Sequence, residues 1–263
     1  MGFFVGTDVG GTFTDLWVAA SDGHTRVFKA PTSDDVLGGV IDAMEMTAES
    51  YGVTFKQFCG QIERFGHGTT VGLNALLTGN AAKTAILTTR GFGDTLEIGR
   101  LRRQTSGMNE TEYTDAYLRN QFPPLVHRGL VVEIDERIDV SGAVVTPLDE
   151  QQARAQLRQL KARGVEAIAI CTLWSTHNPV HEKRLRELAR EELPEAFVSV
   201  SHEISPAVGE YARMSTTAAN ASLGPLAGRY LSRLEATLRE AGMRVPVMMM
   251  TCAGGVLPTA VLT

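Results

Sequence analysis

The sequence predicts an α/β protein whose mixed sheet opens βββαβα with flanking helices. Two observations carry that prediction: three short strand-like runs follow one another at the N-terminus, and beyond residue 60 strand-like and helix-like runs alternate. A third observation, paired glycines at 10–11 and again at 254–255, marks places where backbone must come close to something else.

The first three strands are expected at Phe3 to Thr7, Thr12 to Ala19 and Thr25 to Lys29, with SDGH at 21–24 as the turn of a meander. Asp34 and Asp35 precede a helix in which Val36, Val40, Met44 and Ala48 recur at helical spacing, stopped by Gly52. A strand ending near Gly66, a short helix from about Thr70, a strand at Thr84 to Thr88 and a helix beginning near Phe92 continue the alternation. From Leu101 to Pro124 periodicity fades, as in a long functional loop or small insertion.

A strand at Val131 to Ile138 and the turn VSGAV lead to a helix capped by Asp149 or Thr146 and ended by Gly164. VEAIAICTLW reads as a buried strand, NPVHEKRLRELAREELP as an amphipathic helix and FVSVSHEI as another strand. Gly209 to Gly242 is expected to be helical with a break near Gly224-Pro225, and VPVMMMTCAGG to be a strand running into the second glycine pair.

With 263 residues, 43% of them hydrophobic, the chain can bury one large or two modest cores. The net charge of −5 and scattered Lys and Arg give no footprint for nucleic acid. No apolar run approaches the roughly 20 residues that cross a bilayer, so no membrane partner and a cytoplasmic location are expected. Three distant cysteines, Cys59, Cys171 and Cys252, fit a reducing compartment, with Cys171 a small buried hydrophobe. His181 reads as a helix-surface residue.

The stretch TDVGGTFTD, Thr7 to Asp15, carries the main functional signal. It admits two readings. Gly10 and Gly11 serve a tight hairpin, or they let backbone N–H groups reach phosphate oxygens while Thr12 adds a hydroxyl, with Thr14 beside it, and Asp8 holds a hydrated Mg²⁺. His67, in GHGTT at a strand-to-helix junction, is either a capping or core histidine or a ligand to substrate or transferred phosphate. Thr69 and Thr70 cap the helix or contact substrate, and Asn74 faces the cleft from the helix's first turns. Arg100, next to Arg102 and Arg103, is a solvated charge or an anion clamp. Glu210, Arg213, Ser215, Thr216 and Asn220 line a cleft or form a solvated or interdomain helix face.

DVGGTFTD after an apolar strand resembles the first phosphate loop of the actin, Hsp70 and sugar kinase superfamily. HGTTVGLNALLTGNAAKTAILTTRGFGDTLEIGR, SHEISPAVGEYARMSTTAANASLGPLAGRYL and the near-terminal AGG resemble the hydantoinase A family of hydantoinases, 5-oxoprolinases and acetone or acetophenone carboxylase subunits. That resemblance implies an actin-like (ribonuclease H-like) ATPase fold, with 1–195 as the N-terminal-type region and 196–263 as the start of the hydantoinase/oxoprolinase domain. It implies ATP and Mg²⁺ as cofactors and phosphorylation of the carbonyl oxygen of a cyclic amide, which drives ring-opening hydrolysis. The alternatives are a ketone carboxylase subunit or a non-catalytic nucleotide-binding assembly module. Asp8 would organise the metal, Gly10, Gly11, Thr12 and Thr14 would meet phosphate, and Asp15 would be a supporting carboxylate or general base. His67, Thr69, Thr70 and Arg100 would meet substrate, His67 also as a catalytic group. A hydantoinase B-like partner in an oligomer is implied. So is a second phosphate loop beyond residue 263, which makes the chain a fragment or one piece of a split enzyme.

Overall fold

A computed structural model describes residues 2–32, 36–99, 107–115, 125–251 and 253–259. Asp34, Asp35, Arg100, much of the Leu101 to Pro124 stretch and Cys252 lie outside the described residues. In chain order the strands are β1 (Phe3–Val9), β2 (Phe13–Ala20), β3 (Thr25–Pro31), β4 (Ile62–Thr69), β5 (Thr84–Thr89), β6 (Val131–Ile134), β7 (Arg137–Ile138), β8 (Val144–Thr146), β9 (Ala167–Cys171), β10 (Phe197–Val200), β11 (Val247–Met250) and β12 (Val256–Pro258). The helices are α1 (Val36–Ser50), α2 (Phe55–Gly60), α3 (Val71–Thr78), α4 (Thr95–Ile98), α5 (Glu110–Thr114), α6 (Glu150–Ala162), α7 (Val180–Glu192), α8 (Ser201–Ile204) and α9 (Glu210–Glu240). The chain forms two compact units, one from 1–81 with 226–263 and one from 82–225.

In the first unit a six-stranded sheet runs β12-β11-β4-β1-β2-β3. β1, β2 and β3 form the expected antiparallel meander, and β4 joins β1 in parallel. Strand alternation places Phe3, Val5 and Val9 on the same face as Leu16, Val18 and Ala20, and that face is buried. Leu37, Val40, Ala43, Met44 and Ala48 of α1 pack on it with Leu231, Leu234 and Leu238 of α9. α2 is an unexpected element; its start is fixed by a capping box in which Thr54 and Gln57 exchange bonds with each other's backbone.

The second unit is built on a four-stranded parallel sheet, β10-β9-β5-β6. Every residue of β9 is buried, which explains why AIAIC is a continuous apolar run rather than an alternating one. Leu157 and Leu160 of α6, Leu185 and Leu188 of α7, and Met214, Ala218 and Ala221 of α9 belong to its core. Asp149 caps α6 by accepting from the Gln152 N–H at 2.9 Å. Gly164 follows the helix with φ +68°, a conformation costly for any residue with a Cβ.

β1 and β4 run on past Thr7 and Gly66 to Val9 and Thr69, and three further differences change an element's course. The strand expected over 131–138 is two: β6 stays in the parallel sheet, while β7 leaves it and pairs with β8. FVSVSHEI is strand only to Val200, because Ser201 turns into α8. α9 runs unbroken through Pro225. A proline inside a helix costs about 3 kcal/mol, and apolar anchoring of the helix on both sides of Pro225 outweighs that cost.

Candidate functional site

The end of β1 and the start of β2 enclose the glycine pair. Gly10 N–H donates to the Phe13 carbonyl at 3.0 Å, and Thr32 ties the turn down by donating its N–H to the Thr12 carbonyl and its hydroxyl to the Gly10 carbonyl. Neither Gly10 nor Gly11 has a positive φ. Closeness is what disfavours a side chain: a Cβ on Gly10 would lie 3.2 Å from the Phe13 carbonyl oxygen, and one on Gly11 would lie 3.3 Å from Asn74 Nδ2. Among the described residues the N–H groups of Gly11 and Thr12 have no partner. The turn is therefore a cradle with unspent donors, which is what a phosphate oxygen needs.

Asp8, the penultimate residue of β1, is exposed on the sheet face opposite the core. Its cross-strand partner is Asp15, and its neighbour on β4 is Gly68. Asp15 is held in an ion pair, 2.6 Å from Lys29 Nζ. Thr12 is exposed at the turn, whereas Thr14 points inward, fully buried, with its hydroxyl 3.3 Å from that of Thr32. No group of three or more His, Cys, Asp or Glu side chains among the described residues could hold a metal. Mg²⁺ needs few protein ligands, since one or two carboxylates plus phosphate oxygens and water complete its shell.

His67 lies inside the core. Its Nδ1 is 2.5 Å from the Thr7 hydroxyl and its Nε2 is 2.9 Å from the Tyr230 hydroxyl, so both ring nitrogens are engaged. Burial holds the imidazole well below its ordinary range, at about 4. Here the ring supports the strand that lies beside Asp8 and presents neither nitrogen to a ligand. Thr69 and Thr70 stand at the β4–α3 junction: the Thr69 hydroxyl accepts from Val71 N–H, and Thr70 donates both its N–H and its hydroxyl to the Val9 carbonyl. These bonds lock the start of α3 to the end of β1, next to the cradle.

The second unit contains a polar cluster not foreseen from the sequence, at the carboxyl ends of its parallel strands. Glu136, just past β6, accepts from Thr89 and sits 2.6 Å from His181 Nδ1. His181 is thus a buried hydrogen-bond partner of Glu136, not a surface residue, because Glu136 reaches it from a segment 45 positions away. Glu182 accepts from the Thr172 N–H, the Ser201 hydroxyl and the His202 N–H, and lies 2.7 Å from His202 Nδ1. Arg213 is also buried, donating to the Thr172 and Ala207 carbonyls and to Ser201. Of the five α9 residues named as cleft candidates, Arg213 is an interior tie, and Asn220 donates to Ser199. Cys171, in the same interior, has its thiol pushed up to about 11 by burial, in keeping with a packed residue.

The sequence that builds this turn matches a known family over most of its length. The model of the hydantoinase/oxoprolinase N-terminal region covers residues 4–193, and that of hydantoinase/oxoprolinase covers 213–262. The chain belongs to the hydantoinase/oxoprolinase family. It is 38% identical over 254 residues to the acetophenone carboxylase gamma subunit of Aromatoleum aromaticum, aligning 94% of this chain with 35% of that protein. It is 35% identical over 259 residues to caprolactamase subunit alpha of Pseudomonas jessenii, aligning 98% of this chain with 36% of the relative. The chain thus spans about a third of the length of these relatives. A nucleotide-free structure of acetone carboxylase superposes with a TM-score of 0.87 at 28% identity, over 97% of this chain and 37% of the other. The hydantoinase/oxoprolinase chain has the actin-like α/β fold expected from its sequence. No helix among the described residues is long and apolar enough to cross a membrane.

Proposed function

We propose that this chain is the phosphate-handling N-terminal region of an ATP-dependent enzyme that activates the carbonyl oxygen of a cyclic amide for ring-opening hydrolysis. The observation that carries this reading is the cradle: unpartnered N–H groups at Gly11 and Thr12, close neighbours where side chains would stand at Gly10 and Gly11, and an exposed carboxylate at Asp8. Caprolactamase, a solved relative at 36% identity, is described as ATP-dependent, which supports a nucleotide as the ligand.

ATP with Mg²⁺ would supply a phosphoryl group to the oxygen of a poorly electrophilic amide, making that oxygen a leaving group and the carbonyl carbon open to attack by water. The chain's residues bind and orient. In this reading Gly11 and Thr12 donate N–H bonds to phosphate oxygens, the Thr12 hydroxyl adds a further donor, and Asp8 takes the metal. Phosphoryl transfer asks mainly for such positioning and charge neutralisation. Asp15, paired with Lys29, contributes a fixed charge across the sheet from Asp8 rather than a free base. Thr14 and His67 act from below, Thr14 by bracing the turn through Thr32 and His67 by bracing β4 against β1. Thr69 and Thr70 set where α3 begins at the cradle's rim.

The likeness to the acetophenone carboxylase gamma subunit supports a second reading, in which the same activation serves a ketone and carbon–carbon bond formation. Both relatives are named as subunits, so we propose a hydantoinase B-like partner in an oligomer. The test uses the full-length protein with that partner and measures phosphate release. Release stimulated by lactams, hydantoins or 5-oxoproline supports ring opening, release only with a ketone and bicarbonate supports the carboxylase reading, and no nucleotide turnover with either overturns both.

A further inference from the structure

We propose that Asn74 is a ligand-contacting residue that closes the phosphate cradle from the α3 side by donating its side-chain N–H to a phosphoryl oxygen. The inference rests on the nucleotide reading above and assigns a residue that this reading leaves out.

Asn74 is in the first turns of α3, where side chains tilt back toward the helix N-terminus. Its amide hangs over Thr70 and reaches Gly11: Nδ2 is 3.4 Å from Thr70 Oγ1 and would be 3.3 Å from a Cβ at Gly11. The orientation of the amide follows from Thr70. That hydroxyl has one hydrogen, and it is donated to the Val9 carbonyl at 3.2 Å. Towards Asn74 the hydroxyl can only accept, so the nitrogen, not the oxygen, faces it. The group beside Gly11 is therefore a donor.

One Asn74 N–H is engaged by Thr70 over a long bond, and the other has no partner among the described residues. With the unpartnered N–H groups of Gly11 and Thr12 it makes a third donor at the glycine turn. Three neutral donors around a glycine turn, with Asp8 on the adjoining strand for a cation, suit a metal-bound phosphoryl group. A carboxylate in place of the amide would face that group with the wrong sign.

The experiment compares Asn74→Ala and Asn74→Asp in the full-length assembled enzyme. It measures the affinity for Mg²⁺ with a non-hydrolysable ATP analogue by calorimetry, the KM for ATP, and the melting temperature. A ligand contact predicts weakening of about tenfold for Asn74→Ala and more for Asn74→Asp, with melting temperatures unchanged. A role confined to holding Thr70 predicts a lowered melting temperature in both variants with nucleotide affinity unchanged, because neither alanine nor aspartate can donate to the Thr70 hydroxyl. Nucleotide affinity that is equal in both variants and the unaltered enzyme, or Asn74→Asp binding better than Asn74→Ala, overturns the inference while leaving the proposed function standing. No binding by the unaltered enzyme removes that function and this inference together.

Discussion

Asp8 and Gly68 are neighbours across the parallel strands β1 and β4, and a Cβ on Gly68 would lie 3.3 Å from Asp8 Oδ1. Gly68 leaves the carboxylate the room it occupies. On the same face Gly6 has no such role, since a Cβ there would meet only Trp17, at 4.0 Å.

Asp8→Ala is expected to reduce ATP turnover in the full-length enzyme by several orders of magnitude with the melting temperature preserved, because the side chain is exposed and contributes nothing to the core. Gly68→Ala should cost about tenfold in turnover by displacing that carboxylate a few tenths of an ångström, and Gly6→Ala should cost little. Phosphate-release rates for the three variants check this. Equal activity of Gly68→Ala and Gly6→Ala would show that the carboxylate's position is unimportant.

His67 makes stability depend on pH. Its folded-state value of about 4 lies below the ordinary 6.5, so the unfolded chain takes up a proton first as pH falls. The neutral ring's contribution is complete above about pH 6.5 and is lost progressively down to about pH 4, by at most about 3 kcal/mol. Urea midpoints measured between pH 7.5 and 4.5 should fall more steeply for the unaltered protein than for His67→Gln, which cannot titrate. Parallel curves would contradict the assignment.

Arg213 is fully enclosed and satisfies two carbonyls and the Ser201 hydroxyl. Arg213→Leu strands those buried acceptors. The expected loss is about 3 kcal/mol or more, visible as a lower denaturant midpoint at an unchanged slope. A loss below about 1 kcal/mol would mean that water replaces the guanidinium.

Gly224 in α9 faces the ring of Phe197 on β10, and a Cβ there would fall 2.2 Å from Cε1. Gly224→Ala should destabilise by about 1–3 kcal/mol, although alanine is the better helix former. Combining it with Phe197→Leu should recover part of that loss. A double-mutant cycle on thermal unfolding measures the coupling, and strict additivity would show that the ring moves aside freely.

Much of the fold was legible because local rules decide it. Alternation in Phe3 to Val9 and Phe13 to Ala20 encodes a half-buried hairpin, and Asp149 and Gly164 mark the ends of α6. The Thr54–Gln57 capping box was equally readable as the start of α2, yet it stands between stronger signals and is easily passed over. At the site, the glycine pair and Asp8 announce a backbone under close approach, since few other demands call for two adjacent glycines beside a carboxylate.

By itself the sequence determined the local elements, the cradle's composition and the family to which they belong. Only the tertiary structure decided what lies beneath and around that cradle. His67 is an interior residue because Tyr230, 163 positions away, closes over it, and His181 is buried because Glu136 comes from another strand end. Asn74 meets Gly11 because Thr70 bonds to Val9 across 61 positions. Period and punctuation report what a residue does within its own strand or helix. Burial, charge pairing and the aim of a side chain depend on partners brought in by sheet order, and sheet order is settled by non-local packing that no local pattern encodes.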